Sequence, residues 1–174
     1  MFITIQQLVN DLPSGMERQV RFQHGGTLSQ TDYEEIGHGD IRRAHSNKAL
    51  AISNANIKLS LSVSGSGWQS PGLDDVNWRL PVRLGCMLPL CQQTSGGAIV
   101  PVRPVRSDVE SFGFGVTSTG LVNTPLTGLE PAPVAGALYY LVYFYPALDG
   151  YGRFKGGFDQ RSGEYRWSVD FQEK

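Results

Sequence analysis

Residues 57–64 read Ile57-Lys58-Leu59-Ser60-Leu61-Ser62-Val63-Ser64, with every odd position apolar and every even one polar. A period of two is that of a pleated strand, whose successive side chains point to opposite faces, so this stretch predicts a strand buried on one side. The C-terminal segment repeats the pattern with larger groups: Tyr165, Trp167, Val169 and Phe171 alternate with Arg166, Ser168, Asp170 and Gln172. Ahead of it, Asp159-Gln160-Arg161-Ser162-Gly163 is a turn sequence whose glycine can take positive φ. Residues 151–158 and 164–172 are therefore expected to form an antiparallel hairpin.

Further strands are expected around that hairpin. In Leu138-Tyr139-Tyr140-Leu141-Val142-Tyr143-Phe144-Tyr145 both faces are apolar or aromatic. Such a strand is covered on both sides, by a second core layer or by a partner chain. Residues 2–9, 19–24, 49–53, 78–84, 98–103, 111–117 and 120–122 are further strand candidates, several cut or confined to sheet edges by Pro81, Pro89, Pro101 and Pro104. Residues 5–12 offer a short helix as the alternative to a strand, and residues 31–36 one helical turn behind a Ser29 or Thr31 cap. No segment sustains three turns of helical periodicity. Residues 65–75 and 120–136, rich in glycine and proline, read as long loops, which in compact domains tend to carry function. The expected architecture is all-β: one antiparallel β-sandwich or barrel-like domain over residues 1–174.

Composition narrows the function classes. Fifteen Lys and Arg balance 16 Asp and Glu over 174 residues, a formal net charge of −1. That leaves no basic footprint for nucleic-acid readout and no polybasic membrane patch. Charged residues make up 18% of the chain, below the roughly 25% of an average globular protein, which suits surfaces covered by something other than water. The longest apolar run, residues 137–148, is interrupted by Pro146 and falls short of the about 20 residues of a spanning helix. The first residues show neither a basic region nor a long apolar one, so a soluble protein made in the cytoplasm is expected.

The chemistry-bearing residues form no recognised catalytic set. Cys86 and Cys91 are one loosely spaced pair in apolar surroundings, read as buried free thiols, with a disulfide as the alternative and a metal site as the remote one. His24, His38 and His45 lie near Asp40, but no second ligand falls at a defined helical or hairpin offset. Gly113-Phe114-Gly115 lacks the third glycine of a dinucleotide loop. No enzyme, metal or cofactor is expected, and a metal-dependent hydrolase using His38, Asp40 and His45 stands as a rival. Trp68 and Trp78 bracket Asp74, a pattern that suits either caps on the β core or a sugar platform, where indole rings stack on a pyranose and the acid accepts hydroxyls. The scattered arginines, Arg103, Arg106, Arg153, Arg161 and Arg166, are expected in ion pairs.

The segments Leu141-Val142-Tyr143-Phe144-Tyr145-Pro146, Gly157-Phe158-Asp159 and Tyr165-Arg166-Trp167-Ser168-Val169-Asp170-Phe171-Gln172-Glu173 together resemble small β-rich tail proteins of long-tailed bacteriophages. In those, a last strand of the type Trp-Ser-hydrophobic-x-Phe-x-Glu closes a sandwich or barrel. The resemblance covers the C-terminal part of the chain alone and carries over no individual functional residue. It implies a non-enzymatic virion structural protein (tail tube, tail completion or baseplate), assembled in a ring with copies of itself and other tail proteins. A capsid decoration protein belongs to the same structural class. The expected interface elements are the face of Tyr139, Tyr143 and Tyr145 and the segment carrying Leu126 and Leu129. The alternative is a carbohydrate-binding β-sandwich using Trp68, Trp78 and Asp74.

Overall fold

The computed structural model describes residues 2–10, 12–21, 26–36, 41–43, 49–51 and 58–174. Its strands are β1 (Phe2–Val9), β2 (Leu12–Arg21), β3 (Thr27–Gln30), β4 (Glu34–Ile36), β5 (Ile41–Arg43), β6 (Ala49–Ala51), β7 (Lys58–Gly67) and β8 (Val82–Gly85). They continue with β9 (Leu90–Thr94), β10 (Phe112–Thr117), β11 (Gly120–Thr124), β12 (Leu126–Thr127) and β13 (Glu130–Pro131). The last three are β14 (Ala137–Phe144), β15 (Ala147–Asp159) and β16 (Glu164–Glu173). No helix occurs among the described residues, and the strand registers are antiparallel. The protein is all-β, as the alternating stretches predict.

The chain divides into two compact units, one of residues 1–83 and 149–174, the other of residues 84–148. The first is built on a sheet of order β2-β1-β8-β15-β16-β7-β3, with β4 also pairing on β7. At its heart β16 lies between β15 and β7, so that Val169 sits opposite both Phe154 and Val63. The odd positions of β7 and β16 form the buried face (Leu59, Leu61, Val63, Trp167, Val169, Phe171), joined by Ile3, Ile5 and Leu8 of β1. Gly163 takes φ +69° in the β15–β16 turn, as that turn sequence requires.

Glycines on the buried face let large rings lie flat against the sheet. A Cβ on Gly65 would meet the Trp167 indole at 2.7 Å, and one on Gly152 would meet Trp78 at 2.5 Å. Rings covering cross-strand glycines shield backbone that would otherwise stay open, which stabilises register as well as packing. Where the chain leaves this unit and returns to it, Arg83 and Asp149 form a two-toothed pair, Nε to Oδ1 at 2.7 Å and Nη2 to Oδ2 at 2.8 Å.

The second unit holds a four-stranded sheet of order β11-β10-β14-β9 and the small β12–β13 ladder. Its anchor is Arg106, whose side chain is 2% exposed. The guanidinium donates to the carbonyls of Gly85 and Cys86 and grips Asp108 through two bonds of 2.9 and 2.7 Å.

Several local expectations are corrected. Residues 78–80 are turns, and the strand begins only at Val82. Residues 98–103 are not a strand: Pro101 and Pro104 remove ladder donors, and the neighbouring strand is β9. Residues 31–36 are extended, with Thr31 N–H donating to the Ser62 carbonyl and β4 pairing with β7. The supposed loop 120–136 contains β11, β12 and β13, while Gly65 and Gly67 end β7 rather than open a loop. Residues 5–9 are strand, not helix, and β2 starts at Leu12, well before residue 19.

Candidate functional site

The sheet of the second unit has two contrasting faces, set by the register of β10 against β14. Gly113 and Gly115 lie opposite Val142 and Tyr140, whereas Phe112 and Phe114 lie opposite Tyr143 and Leu141. Alternation in Phe112-Gly113-Phe114-Gly115 therefore places both phenylalanines on one side and both glycines on the other.

On the glycine side, Leu126 covers Gly113 and Val134 covers Gly115, so closely that a Cβ would lie 2.7 Å from Leu126 and 3.1 Å from Val134. The Tyr140 hydroxyl accepts the Val134 N–H at 2.9 Å. Leu126 thus packs within its own unit, and the Leu129 carbonyl accepts the Ile99 N–H at 3.3 Å.

On the other side the aromatic residues meet one another. The rings of Phe112 and Tyr143 stack with centroids 4.9 Å apart, Phe114 meets Tyr143 edge-on at 6.0 Å, and Tyr145 leans on Phe112 at 6.4 Å. All four side chains are half-buried. Tyr139 shares this face, opposite Val116, and Leu121, 62% exposed, extends it onto β11. Cys91 lies opposite Tyr143 from β9 and is exposed. Its thiol, through a hydrogen bond first and burial second, holds the Tyr143 hydroxyl above the ordinary phenol value.

Tyr139, Tyr143 and Tyr145, singled out on sequence, thus share one face. Phe112 and Phe114, which complete the cluster, were missed, although their alternation with glycine was the available signal. Both cysteines are free thiols; Cys86 is buried, but Cys91 is exposed because it points outward from the sheet's edge strand.

The tryptophan pair is divided in role. Trp78 stacks on Phe154 at 5.9 Å and 12°, and its Nε1–H donates to the Leu73 carbonyl at 3.2 Å. Trp68 is 69% exposed at the end of β7, and Asp74 accepts the Ser70 hydroxyl. Of the arginines, Arg106 is buried as an internal anchor, while Arg166 pairs with Glu164 at the surface. His24, His38, Asp40 and His45 lie outside the described residues, among which no cluster of metal-ligating groups occurs. No described helix is long and apolar enough to cross a membrane. No family model matches the chain, and neither the curated proteins nor the solved structures contain a significant match.

Proposed function

We propose that this chain is a non-enzymatic structural subunit of a virion tail, assembling into a ring with copies of itself and neighbouring tail proteins through the aromatic face of its second unit. The observation that carries the assembly part is the cluster of Phe112, Phe114, Tyr143 and Tyr145, in which Phe112 touches the other three rings and none of the four is fully buried. Aromatic side chains are enriched at the cores of protein interfaces because they supply large apolar area at low entropic cost, with hydroxyls that find partners. A ring needs a heterologous contact, in which this face meets a different surface of the next copy. The virion-tail part, with residence in the virion after synthesis in the host cytoplasm, rests on the C-terminal resemblance alone.

Light scattering across a concentration series tests the assembly part. The expected result is a discrete oligomer that Tyr143→Ala dissociates, with a larger loss of assembly than of folding stability. Equal loss of assembly and folding would put this face in the core, and a monomer at every concentration would contradict self-assembly.

A further inference from the structure

The polar face of the first unit's sheet carries a groove of about 790 Å³. Its floor follows from the registers already described. One row across the strands runs Glu34, Ser60, Gln172, Tyr151, and the next contains Ser62, Asp170 and Arg153. The serines are short, so the floor sinks between the segment 31–34 on one side and β15 on the other. Three strand spacings separate Glu34 from Tyr151, about 14 Å.

The groups facing this groove fall into two sets. Asp170 is fixed: Ser62 Oγ donates to Oδ1 at 3.1 Å and Lys155 Nζ to Oδ2 at 3.1 Å. Tyr151, Arg153 and Gln172 make no side-chain hydrogen bond among the described residues, Arg153 acts on Asp170 through its charge alone, and Tyr151 is 52% exposed. A concave site with one open aromatic plane, an immobilised carboxylate and several uncommitted planar donors and acceptors is the arrangement that binds small polar molecules.

We infer that this groove binds a neutral oligosaccharide, laid across the strands from Tyr151 towards Glu34. The Tyr151 ring supplies a stacking surface for the apolar C–H face of a pyranose. Asp170 accepts hydroxyl hydrogens, and charge-assisted bonds of this kind are about twice as strong as neutral ones. Gln172 and Arg153 donate to hydroxyl and ring oxygens. Three carboxylates (Asp32, Glu34, Asp170) still outnumber the two cations beside them, Arg153 in the groove and Lys155 on Asp170, which disfavours phosphate, sulfate or uronate ligands. A peptide adding as a strand is disfavoured too, because the floor is the face of paired strands whose backbone groups are already in their ladders. This site does not use the trio Trp68, Trp78 and Asp74, Trp78 packing against Gly152 from the buried face of β15, and it does not depend on assembly.

The test is saturation-transfer NMR and calorimetry of the full chain. The probes are uncharged gluco-, manno-, galacto- and N-acetylglucosamine oligosaccharides, with a uronate oligosaccharide for comparison. The expected result is binding of at least one neutral oligosaccharide at about 1 mM or tighter, weakened about tenfold by Tyr151→Ala. Tyr151→Phe should retain binding, Gln172→Ala and Arg153→Ala should each weaken it, and Trp68→Ala should leave it unchanged. If Tyr151→Ala fails to fold, the Gln172 and Arg153 variants decide. No neutral binder, preference for the uronate, or loss on Trp68→Ala without loss on Tyr151→Ala would overturn the assignment.

Discussion

The phenol ring of Tyr143 lies flat against the phenyl ring of Phe112, centroids 4.9 Å apart and planes 4° from parallel, with the two residues directly opposite on β14 and β10. Such a pair stabilises a sheet by about 0.5–1.5 kcal/mol beyond its area burial. Neither ring is fully buried, so part of that aromatic area is still open to a partner. Removing one ring of the pair by Phe112→Ala should cost the folded subunit about 2 kcal/mol, the stacking together with the partly buried area, and its self-association at least about 3 kcal/mol, as for a central interface residue. Urea unfolding of the monomer and sedimentation of the assembly measure the two effects separately. Equal losses would contradict the assignment of this face to assembly.

Alkaline titration reports on the same cluster. The Cys91 thiol, and then burial, raise the Tyr143 hydroxyl above its ordinary value of 10.0. A raised acid favours its protonated form in the folded state. Its stabilising contribution is therefore complete below the ordinary value and is lost as pH climbs past 10 through the folded value. The tyrosinate absorbance of the native protein should show one residue ionising late, and Cys91→Ala should bring that step earlier. Coincident titrations of the two proteins would exclude the thiol as the cause.

Arg106 and Asp108 make the opposite prediction at acid pH. Asp108 is held below the ordinary 3.8, first by its hydrogen bond to Arg106. A depressed carboxyl contributes stability that is complete above the ordinary value and is lost as pH falls through the folded one. Asp108→Asn removes the counter-charge of a buried guanidinium that keeps its bonds to the Gly85 and Cys86 carbonyls, and with the Asp108 side chain 36% exposed the cost is about 1–2 kcal/mol at neutral pH. The gap between wild type and variant should narrow below pH 3.8, as followed by urea unfolding at each pH. A constant gap would show that the pair's charge is irrelevant to stability.

The glycines of β15 divide cleanly. Gly152→Ala drives a methyl into Trp78 at 2.5 Å, while Gly157 has nothing within 4 Å of the same added atom. Overpacking of this kind costs about 1–3 kcal/mol, whereas Gly157→Ala should stay within about 0.5 kcal/mol of wild type. Comparable thermal shifts for both variants would refute the packing of Trp78 over the strand.

The strands that announced themselves were those with one polar face. β7 and β16 alternate because water covers one side of them, and that alternation is readable without a structure. β9 was missed because Cys91-Gln92-Gln93 carries no apolar rhythm; it is an edge strand held by pairing with β14. β11 was legible in its first residues, 120–122, whereas β12 and β13 were missed because the surrounding glycines and prolines read as loop; the close cover of β10 by Leu126 and Val134 is permitted by Gly113 and Gly115 of β10 itself. The tyrosine face was legible from the spacing of Tyr139, Tyr143 and Tyr145. The Phe112 stack depends on register between strands far apart in sequence, which no local pattern encodes. Arg106 was expected in an ion pair and makes one with Asp108, but its burial was not legible, because nothing nearby in sequence reveals the carbonyls of Gly85 and Cys86 that surround it.

The most direct test of assembly through the aromatic face uses the thiol already in it. Cys91 is exposed and opposite Tyr143, whereas Cys86 is buried. Iodoacetamide labelling followed by peptide mass analysis should modify Cys91 readily in dilute protein. In the assembled state Cys91 should be protected severalfold, with Cys86 unreactive throughout. An assembly whose Cys91 reacts as fast as that of the monomer would contradict the placement of the interface on this face.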